Sequence, residues 1–195
     1  MINFADHFLK KVEAACKYID RDKINIIANN LKKLRSKSGR LFFLGVGGSA
    51  GNCSHAVNDF RKLCNIEAYA PTDNISELTA RTNDEGWETI FVEWLKVSNF
   101  NIRDAIFIFS VGGGNKKKKV SQNLIHAIDF VKKKRGKIFS IVGRSDGYAF
   151  KKSDISILIK SNDKNLITPI SESFQAIIWH LIVSHPMLKR NKTKW

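Results

Sequence analysis

Five short apolar runs, separated by amphipathic stretches, restrict the fold of this sequence more than any other feature. The runs are Leu41–Gly45, Glu67–Ala70, Ala105–Ser110, Lys137–Val142 and Asp154–Ile159. Several are apolar nearly throughout, which is typical of strands buried on both faces of a parallel sheet. Strands that alternate with helices predict an α/β fold, a doubly wound parallel sheet with right-handed crossovers.

The amphipathic stretches predict the helices. Apolar residues at three- and four-residue steps, from Phe4 to Ile19 and from Ile24 to Leu34, predict a helix pair that ends at Ser38 and Gly39. Later helices are expected at about 52–63, 75–83, 87–98, 116–134, 145–151 and 170–185. We therefore expect one domain, with the helix pair at 1–38, an α/β core at 39–188 and a basic tail at 189–195.

Composition indicates a cytoplasmic globular protein. Of the 195 residues, 43% are hydrophobic and 26% are charged. No apolar run reaches the roughly 18 residues of a membrane span, and the first residues lack the features of a secretion signal. Cys16, Cys53 and Cys64 are odd in number and fall in predicted helices, which favours free thiols in a reducing compartment. No membrane association is expected.

The formal net charge of +15 raises the question of nucleic-acid binding. The basic clusters lie at 116–119, 132–135 and 189–194, and they are not interleaved with aromatic residues as a groove for single strands requires. We expect solvated surface lysines rather than a nucleic-acid partner. A positive field also attracts an anionic sugar phosphate.

Glycine-rich loops follow three of the predicted strands. The first, Gly45–Gly51, leads into a helix, and the second, Ser110–Asn115, does so with Lys116 available for charge. A third candidate is Gly143–Gly147. Backbone amides of such loops, together with a helix N-terminus, bind phosphate groups. The expected phosphate-binding residues are Gly47, Gly48, Ser49, Ser110, Gly112, Gly113 and Asn115.

A dinucleotide site is the alternative for the first loop, since Gly45, Gly47 and Ala50 fit the loose fingerprint. That site requires an acidic residue at the end of the second strand, where this sequence has Ala70 and Pro71. The Gly-Lys-Ser/Thr of a nucleotide-triphosphate loop is missing as well. No nucleotide cofactor is expected.

His55 and Asp59 lie four residues apart in a predicted helix, so both face the same side of it. Such a pair can bind zinc with a further ligand or act in proton transfer. A simple hydrogen bond between the two side chains is the alternative that the spacing leaves open.

These motifs resemble the sugar isomerase (SIS) domain, and within it the sedoheptulose-7-phosphate isomerase branch. The resemblance rests on the segment from Leu41 to His55, Thr82–Gly86, the Ser110 loop, Val142–Gly147 and Glu172–Gln175. It implies a five-stranded parallel sheet, a sugar phosphate held by Ser49 and Ser110, and an N-terminal helix pair that packs a tetramer.

The resemblance also implies roles for single residues. His55 matches the family's first histidine, Asp59 stands where the family has Glu, Glu172 replaces an Asp, and Gln175 matches a glutamine. In the family these positions hold zinc or act as acid and base at a subunit interface. The family's catalytic histidine falls on Val183 here, with His180 and His185 nearby.

We therefore expect a ketose–aldose isomerase of a sugar phosphate that works through an enediol. The expected catalytic residues are His55, Asp59, Glu172 and His180, and the expected metal ligands, if zinc binds, are His55, Asp59, Gln175 and His180. Gln175, Asn83 and Asp84 are expected to contact the substrate. A homotetramer or homodimer is expected. The alternative function is a non-catalytic SIS sensor of sugar phosphates or a protein-binding module.

Overall fold

The computed structural model describes residues 3–193 and contains the predicted sheet. Its strands are β1 (Leu41–Leu44), β2 (Ala68–Tyr69), β3 (Ala105–Ser110), β4 (Lys137–Val142) and β5 (Ile155–Leu158). The strand order is β2-β1-β3-β4-β5, and each neighbouring pair is parallel. The five-stranded doubly wound fold is therefore confirmed.

Helices cover both faces of the sheet. They are α1 (Phe4–Lys17), α2 (Arg21–Ser36), α3 (Gly48–Cys64), α4 (Ile75–Asp84), α5 (Ile90–Val97), α6 (Gln122–Lys133), α7 (Tyr148–Lys152) and α8 (Ile167–Ser184). The first two form the predicted N-terminal pair, and the side chains of Asn3 and Asp20 cap their amino ends.

Successive strand residues point to opposite faces and divide the core into two layers. Phe43 and Phe107 pack in the layer that contains α2, α3 and α8, whereas Phe42 and Ile106 pack in the layer that contains α5 and α6. Both faces of each central strand are thus buried. This explains why the strands are apolar throughout instead of alternating with polar residues.

Two predicted helix boundaries were wrong. α3 begins at Gly48 rather than at residue 52, so the first glycine loop is shorter than expected. α6 begins at Gln122 rather than at residue 116. Asn115 and Val120 pair in an antiparallel bridge, and Asn115 Oδ1 accepts a hydrogen bond of 2.9 Å from the backbone N–H of Lys118. The lysine run 116–119 therefore forms a tight loop, because the Asn side chain closes a turn in place of a helix.

The last helix is long and apolar. Residues Lys164–Ser184 are long and apolar enough to cross a membrane, with a mean hydropathy of 1.3. Half of that window is buried inside the fold, where Ile170, Phe174 and Ile178 belong to the core. A buried core helix meets the same criterion of length and composition, so packing accounts for its hydropathy.

The strand order identifies the edge at which a ligand site is expected. β1 lies between β2 and β3, so the chain winds in opposite directions on the two sides of β1. Leu44 pairs with Ile108, and the loops after Leu44 and Ser110 therefore leave the same edge on neighbouring strands. In open α/β sheets, ligands bind in the crevice at this reversal point.

The predicted basic tail begins with residues that contact α3. The backbone N–H groups of Arg190 and Asn191 donate to the carbonyl of Leu63, at 2.8 and 3.1 Å. Asn191 Nδ2 donates to the carbonyl of Lys62 at 2.6 Å. Lys194 and Trp195 lie outside the described residues.

Replacement of Phe43 by Ala should destabilise the protein strongly. Phe43 is fully buried, and its ring lies 5.1 Å from that of Phe60 and 5.6 Å from that of Phe107. We expect the free energy of unfolding to fall by about 3–5 kcal/mol, measured by urea denaturation. Phe4→Ala is the matched control, because Phe4 is 70% exposed. Equal losses in both variants would contradict this view of the core.

Candidate active site

The loop after β1 presents the backbone at the amino end of α3. Gly45 packs closely beneath it, since a Cβ there would lie 2.6 Å from the Ser49 carbonyl oxygen and 2.9 Å from Cys53 Sγ. Burial raises the pKa of the Cys53 thiol well above its usual value, so this sulfur stays protonated. Gly47 has a φ of +62°, and Gly47 and Gly48 are both exposed. This first turn can therefore approach an anion closely.

The phosphate-binding prediction implies that the Ser49 hydroxyl faces solvent. Ser49 is only 2% exposed, so its hydroxyl points into the protein instead. Its Oγ accepts a hydrogen bond of 3.0 Å from Nε2 of Gln175 in α8. Asn52 Nδ2 in turn donates to Gln175 Oε1, at 2.9 Å, and to the Glu172 carbonyl, at 3.0 Å. Gln175 is fully buried and links α8 to α3. Both of its polar atoms are thus occupied.

The carboxylate of Glu172 lies over the first turn of α3. A Cβ on Gly48 would be only 2.5 Å from Glu172 Oε2, so glycine is the residue that leaves room for it. An anion bound to the amides of this turn would meet the negative charge of Glu172. Sequence reasoning grouped Glu172 with the histidines, but eight residues separate it from His180, which is about 12 Å along the helix.

The loop after β3 is held by its own hydrogen bonds. Ser110 is nearly buried, and its Oγ accepts from the N–H of Gly113 at 2.9 Å. The carbonyls of Gly113 and Gly114 accept from the N–H groups of Ala149 and Tyr148 at the start of α7. Gly112 is exposed, and a Cβ there would meet nothing within 4 Å. Gly112 is thus the open position of this loop.

Two expectations for the second loop were wrong. It does not enter a helix directly, because residues 115–120 form the tight loop described above, so no helix N-terminus contributes at this point. Lys116 is not free either, since its Nζ lies 3.2 Å from Asp129 Oδ2 and 4.6 Å from the centre of the Tyr148 ring. Asn115 uses its side-chain oxygen in the turn.

His55, Asp59 and His180 form a cluster between α3 and α8. Each offers one ligand atom, and these three atoms lie within 4.8 Å of one another. His180 Nε2 is 3.7 Å from Asp59 Oδ2, and the two imidazole centroids are 5.5 Å apart. Three of the four expected metal ligands therefore converge, whereas the side chain of Gln175 is hydrogen-bonded to Ser49 and Asn52.

The tautomer of His180 follows from its backbone contact. His180 Nδ1 lies 2.8 Å from the carbonyl oxygen of Ala176. A carbonyl can only accept, so Nδ1 carries the proton. In the neutral ring Nε2 is then a lone-pair atom directed toward Asp59. Such a nitrogen can bind a metal ion or accept a proton.

Val183 lines the same cavity as the cluster. The cavity has a volume of about 450 Å³, and His55, Asp59 and His180 lie in its wall with Val183. Residues 180 and 183 are neighbours on one helix face because they are three apart. His180 therefore brings an imidazole to the cavity that is also lined by Val183, the position at which the family resemblance implies a histidine.

Trp179 supports both histidines, a role that the sequence did not indicate. Its ring centroid lies 4.6 Å from that of His55 and 3.5 Å from that of His180. Trp179 is fully buried, so both imidazoles rest on a fixed surface. Asn52 was missed as well, although its position one turn after Gly48 is a signal that it shares a face with the loop.

The remaining candidates lie elsewhere. Asn83 and Asp84 are exposed in the last turn of α4, where Asn83 Nδ2 donates to Asp84 Oδ1 at 2.7 Å. His185 lies 3.2 Å from Asn25 Oδ1 and not in the wall of the cavity. Asp73, the acid considered for a dinucleotide, accepts a hydrogen bond from Ser54.

Comparison with curated proteins gives three informative relatives, although no family model matches the chain. Phosphoheptose isomerase of Leptospira biflexa is 30% identical over 155 residues, covering 75% of this chain and 73% of that protein. Phosphoheptose isomerase 2 of Campylobacter jejuni is 28% identical over 188 residues, covering 92% and 87%. Lincomycin biosynthesis protein LmbN of Streptomyces lincolnensis is 29% identical over 158 residues, but the match spans only 56% of its length.

Solved structures share the fold. Phosphoheptose isomerase GmhA of Neisseria gonorrhoeae superposes with a TM-score of 0.78 at 21% identity, covering 92% of this chain and 95% of that one. The phosphoheptose isomerase of Francisella tularensis gives a TM-score of 0.76 at 18% identity, covering 92% of both chains. The sugar isomerase domain of an RpiR transcription factor from Sphaerobacter thermophilus gives 0.64 at 10% identity, with coverage of 92% and 84%.

Replacement of Glu172 by Gln should tighten the binding of inorganic phosphate to the first turn of α3. Two unit charges 4 Å apart repel by about 1 kcal/mol even in water, so the gain should be about fivefold or more. Isothermal titration calorimetry would measure it. Glu88→Gln removes the same charge from an exposed carboxylate beside Gly86 and should have no effect. Weaker phosphate binding by Glu172→Gln would show that the carboxylate assists the anion.

Proposed function

The chain belongs to the phosphoheptose isomerase family, and we propose that it interconverts sedoheptulose 7-phosphate and a heptose 7-phosphate by enediol chemistry. The observation that carries the proposal is the His55–Asp59–His180 cluster, in which His55 and Asp59 lie on α3, the helix that begins at the first glycine turn, and His180 lies on α8. The substrate comes from the names of the relatives. The fold alone does not indicate this substrate, because a domain of a transcription factor has the same fold.

The spacing along α3 leaves room for a substrate as long as a seven-carbon sugar phosphate. From Gly48 to His55 the helix rises about 10 Å, at 1.5 Å for each residue. An extended chain gains about 1.2 Å per bond, so the seven bonds between the carbonyl carbon C2 and the phosphorus span about 8 Å. A phosphate at the first turn would then leave C1 and C2 within reach of His55 and His180.

In this proposal the proton moves between C1 and C2. A base removes a proton from C1 of the ketose and the C2 carbonyl oxygen gains a proton, which gives the enediol; the enediol then takes up a proton at C2 while the C1 hydroxyl loses its proton, which gives the aldose. His180 Nε2 is suited to the base because Nδ1–H is held by the Ala176 carbonyl. Asp59, 3.7 Å away, would stabilise the imidazolium that forms. Glu172 is assigned to the phosphate end of the substrate.

The alternative role of the same three side chains would be to hold a zinc ion, in which case the lone pair of His180 Nε2 would bind the metal and would not act as the base. Two nitrogens and a carboxylate oxygen are a donor set of catalytic zinc sites. Ligand atoms around tetrahedral zinc lie about 3.4 Å apart, so the 3.7 Å between His180 and Asp59 fits with little movement. When bound, zinc would polarise the substrate carbonyl. Gln175 would act as a positioning residue, because its amide is occupied between Ser49 and Asn52.

The non-catalytic alternative loses its main support. It rested on the valine at position 183, but His180 brings an imidazole to the same cavity. A cytoplasmic homo-oligomer remains part of the proposal. Exposed Phe4 and Leu9 on α1, and Ile177 and Leu181 on α8, offer apolar surface for packing a second copy.

His180→Gln and Asp59→Asn should each lower kcat/KM for sedoheptulose 7-phosphate by about 100-fold or more, because His180 is the proposed base and Asp59 its partner, and general acid–base groups contribute at least that factor. A coupled or NMR assay of aldose formation, with and without added zinc, would measure this. His126→Gln, an exposed histidine of α6, serves as the control and should be fully active. If the unaltered protein shows no turnover in either condition, the proposed reaction is wrong.

Val183→His should strengthen zinc binding. The new imidazole would face the cavity and add a fourth ligand in place of water, with a gain on the order of tenfold or more. Competition with a chromophoric chelator gives the dissociation constant. Leu181→His adds the same group to a position that is 44% exposed and does not line the cavity, so its affinity should match that of the unaltered chain. Equal gains in the two variants would count against the cluster as the metal site.

A further inference from the structure

The third glycine loop borders a cavity that the proposed reaction does not use. The loop follows β4 and, with the end of β5 and the start of α8, encloses about 630 Å³. We call this the β5 cavity, defined by Gly143, Arg144, Lys160, Lys164 and Ile167. Its volume is in the range of small-molecule sites, which are about 300–1,000 Å³.

The charges around the β5 cavity are unbalanced. Arg144, Lys160 and Lys164 line it, and Asp146 is the one acidic residue among its lining residues. Asp146 is already paired with Arg144 through two contacts of 3.0 Å. Within residues 3–193, neither Lys160 nor Lys164 forms an ion pair with a carboxylate. The cavity therefore carries a net positive charge that an anion would neutralise.

The start of α8 borders the cavity. α8 continues directly from the 3-10 turn Lys164–Leu166, and the Asp163 side chain caps that turn by accepting from the N–H of Asn165. Ile167, the first residue of α8, lines the cavity. One turn later, Ser171 is fully buried against Gly143, and its hydroxyl has no partner among the described residues. An unsatisfied buried hydroxyl thus lies directly behind Gly143, a residue of the cavity wall.

The rim of the cavity is fixed before any ligand binds. The one acidic residue of segment 160–166, Asp163, points away from the cavity, because its Oδ2 lies 3.0 Å from Nε2 of His7 in α1. Its Oδ1 accepts from the Asn165 N–H at 3.0 Å. The hydrogen bond from His7 lowers the pKa of the Asp163 carboxyl. Lys160 and Lys164 therefore extend from an anchored segment.

We propose that the β5 cavity is a second binding site, separate from the active site, for a phosphorylated sugar or polyol. Lys160, Lys164 and Arg144 would bind the phosphate, and Ser145 and Asn162 would bind hydroxyl groups. Within residues 3–193, none of the residues that line the cavity is aromatic, although the centre of the Tyr18 ring lies 5.1 Å from Lys160 Nζ.

Helix α8 connects the two sites. Ile167 lies at the β5 cavity, and His180 lies about 20 Å further along the same helix. A ligand that fixes the amino end of α8 would therefore act on the helix that carries Glu172, Gln175 and His180. Neither the site nor its test depends on the proposed reaction.

Titration with ribose 5-phosphate, followed by TROSY NMR of backbone amides, tests the second site. We expect saturable shifts at Gly143, Ser145 and Ile167 in the unaltered protein, and none with unphosphorylated ribose. Lys160→Ala/Lys164→Ala should abolish these shifts. Lys132→Ala/Lys133→Ala removes the same charge from exposed positions of α6 and should retain them.

Shifts at Gly47–Ser49 report the other site independently. If they persist in the Lys160→Ala/Lys164→Ala variant, the fold and the active-site turn are intact and the loss is specific. Shifts confined to Gly47–Ser49 in the unaltered protein, or shifts at Gly143 that survive the double substitution, would overturn the proposal. Lys164→Glu, a single change at an exposed position, gives the same test if the double variant does not fold.

Discussion

The buried amide of Gln175 is the interaction on which the site depends. It accepts from Asn52 and donates to Ser49, so one side chain of α8 is fixed at two points of α3. A buried polar group left without its partner costs about 1–3 kcal/mol, which penalises any sliding of the two helices. The distance between His55 on α3 and His180 on α8 therefore follows from a contact one turn away from either histidine. Gln175 thus positions the two helices, whereas the histidines that they carry are the residues proposed to take part in the chemistry.

Much of the fold could be predicted because strands that are buried on both faces of a sheet consist of consecutive apolar residues, which are visible in the sequence. The apolar runs identified all five strands, and the 3.6-residue period identified the N-terminal helices. The loop 115–120 could not be predicted in this way. Its lysines are good helix formers, but the outcome depended on one hydrogen bond, which the Lys118 N–H donates to the Asn115 side chain, and on the positive φ of Gly113 and Gly114. Neither feature alters hydrophobic periodicity.

The site was predictable only where it depends on a single element. His55 and Asp59 share a face because helix geometry alone puts residues four apart together. The burial of Ser49 and the approach of Glu172 to Gly48 required knowledge of how α8 packs across α3. The same applies to Trp179, since an apolar helix gives no sign of which aromatic side chain will contact a histidine. Contacts between side chains of different helices could not be predicted from the sequence.

The position of His180 has a consequence for how protein families are compared. An alignment column holds one residue, whereas a cavity wall receives side chains from two successive turns of a helix, here 180 and 183. A chemical group can thus migrate by one turn during divergence while its place in the cavity is retained. A comparison that looks for each catalytic residue only in its own alignment column would conclude that this chain lacks the histidine. A comparison of the side chains that line the cavity would find the imidazole of His180.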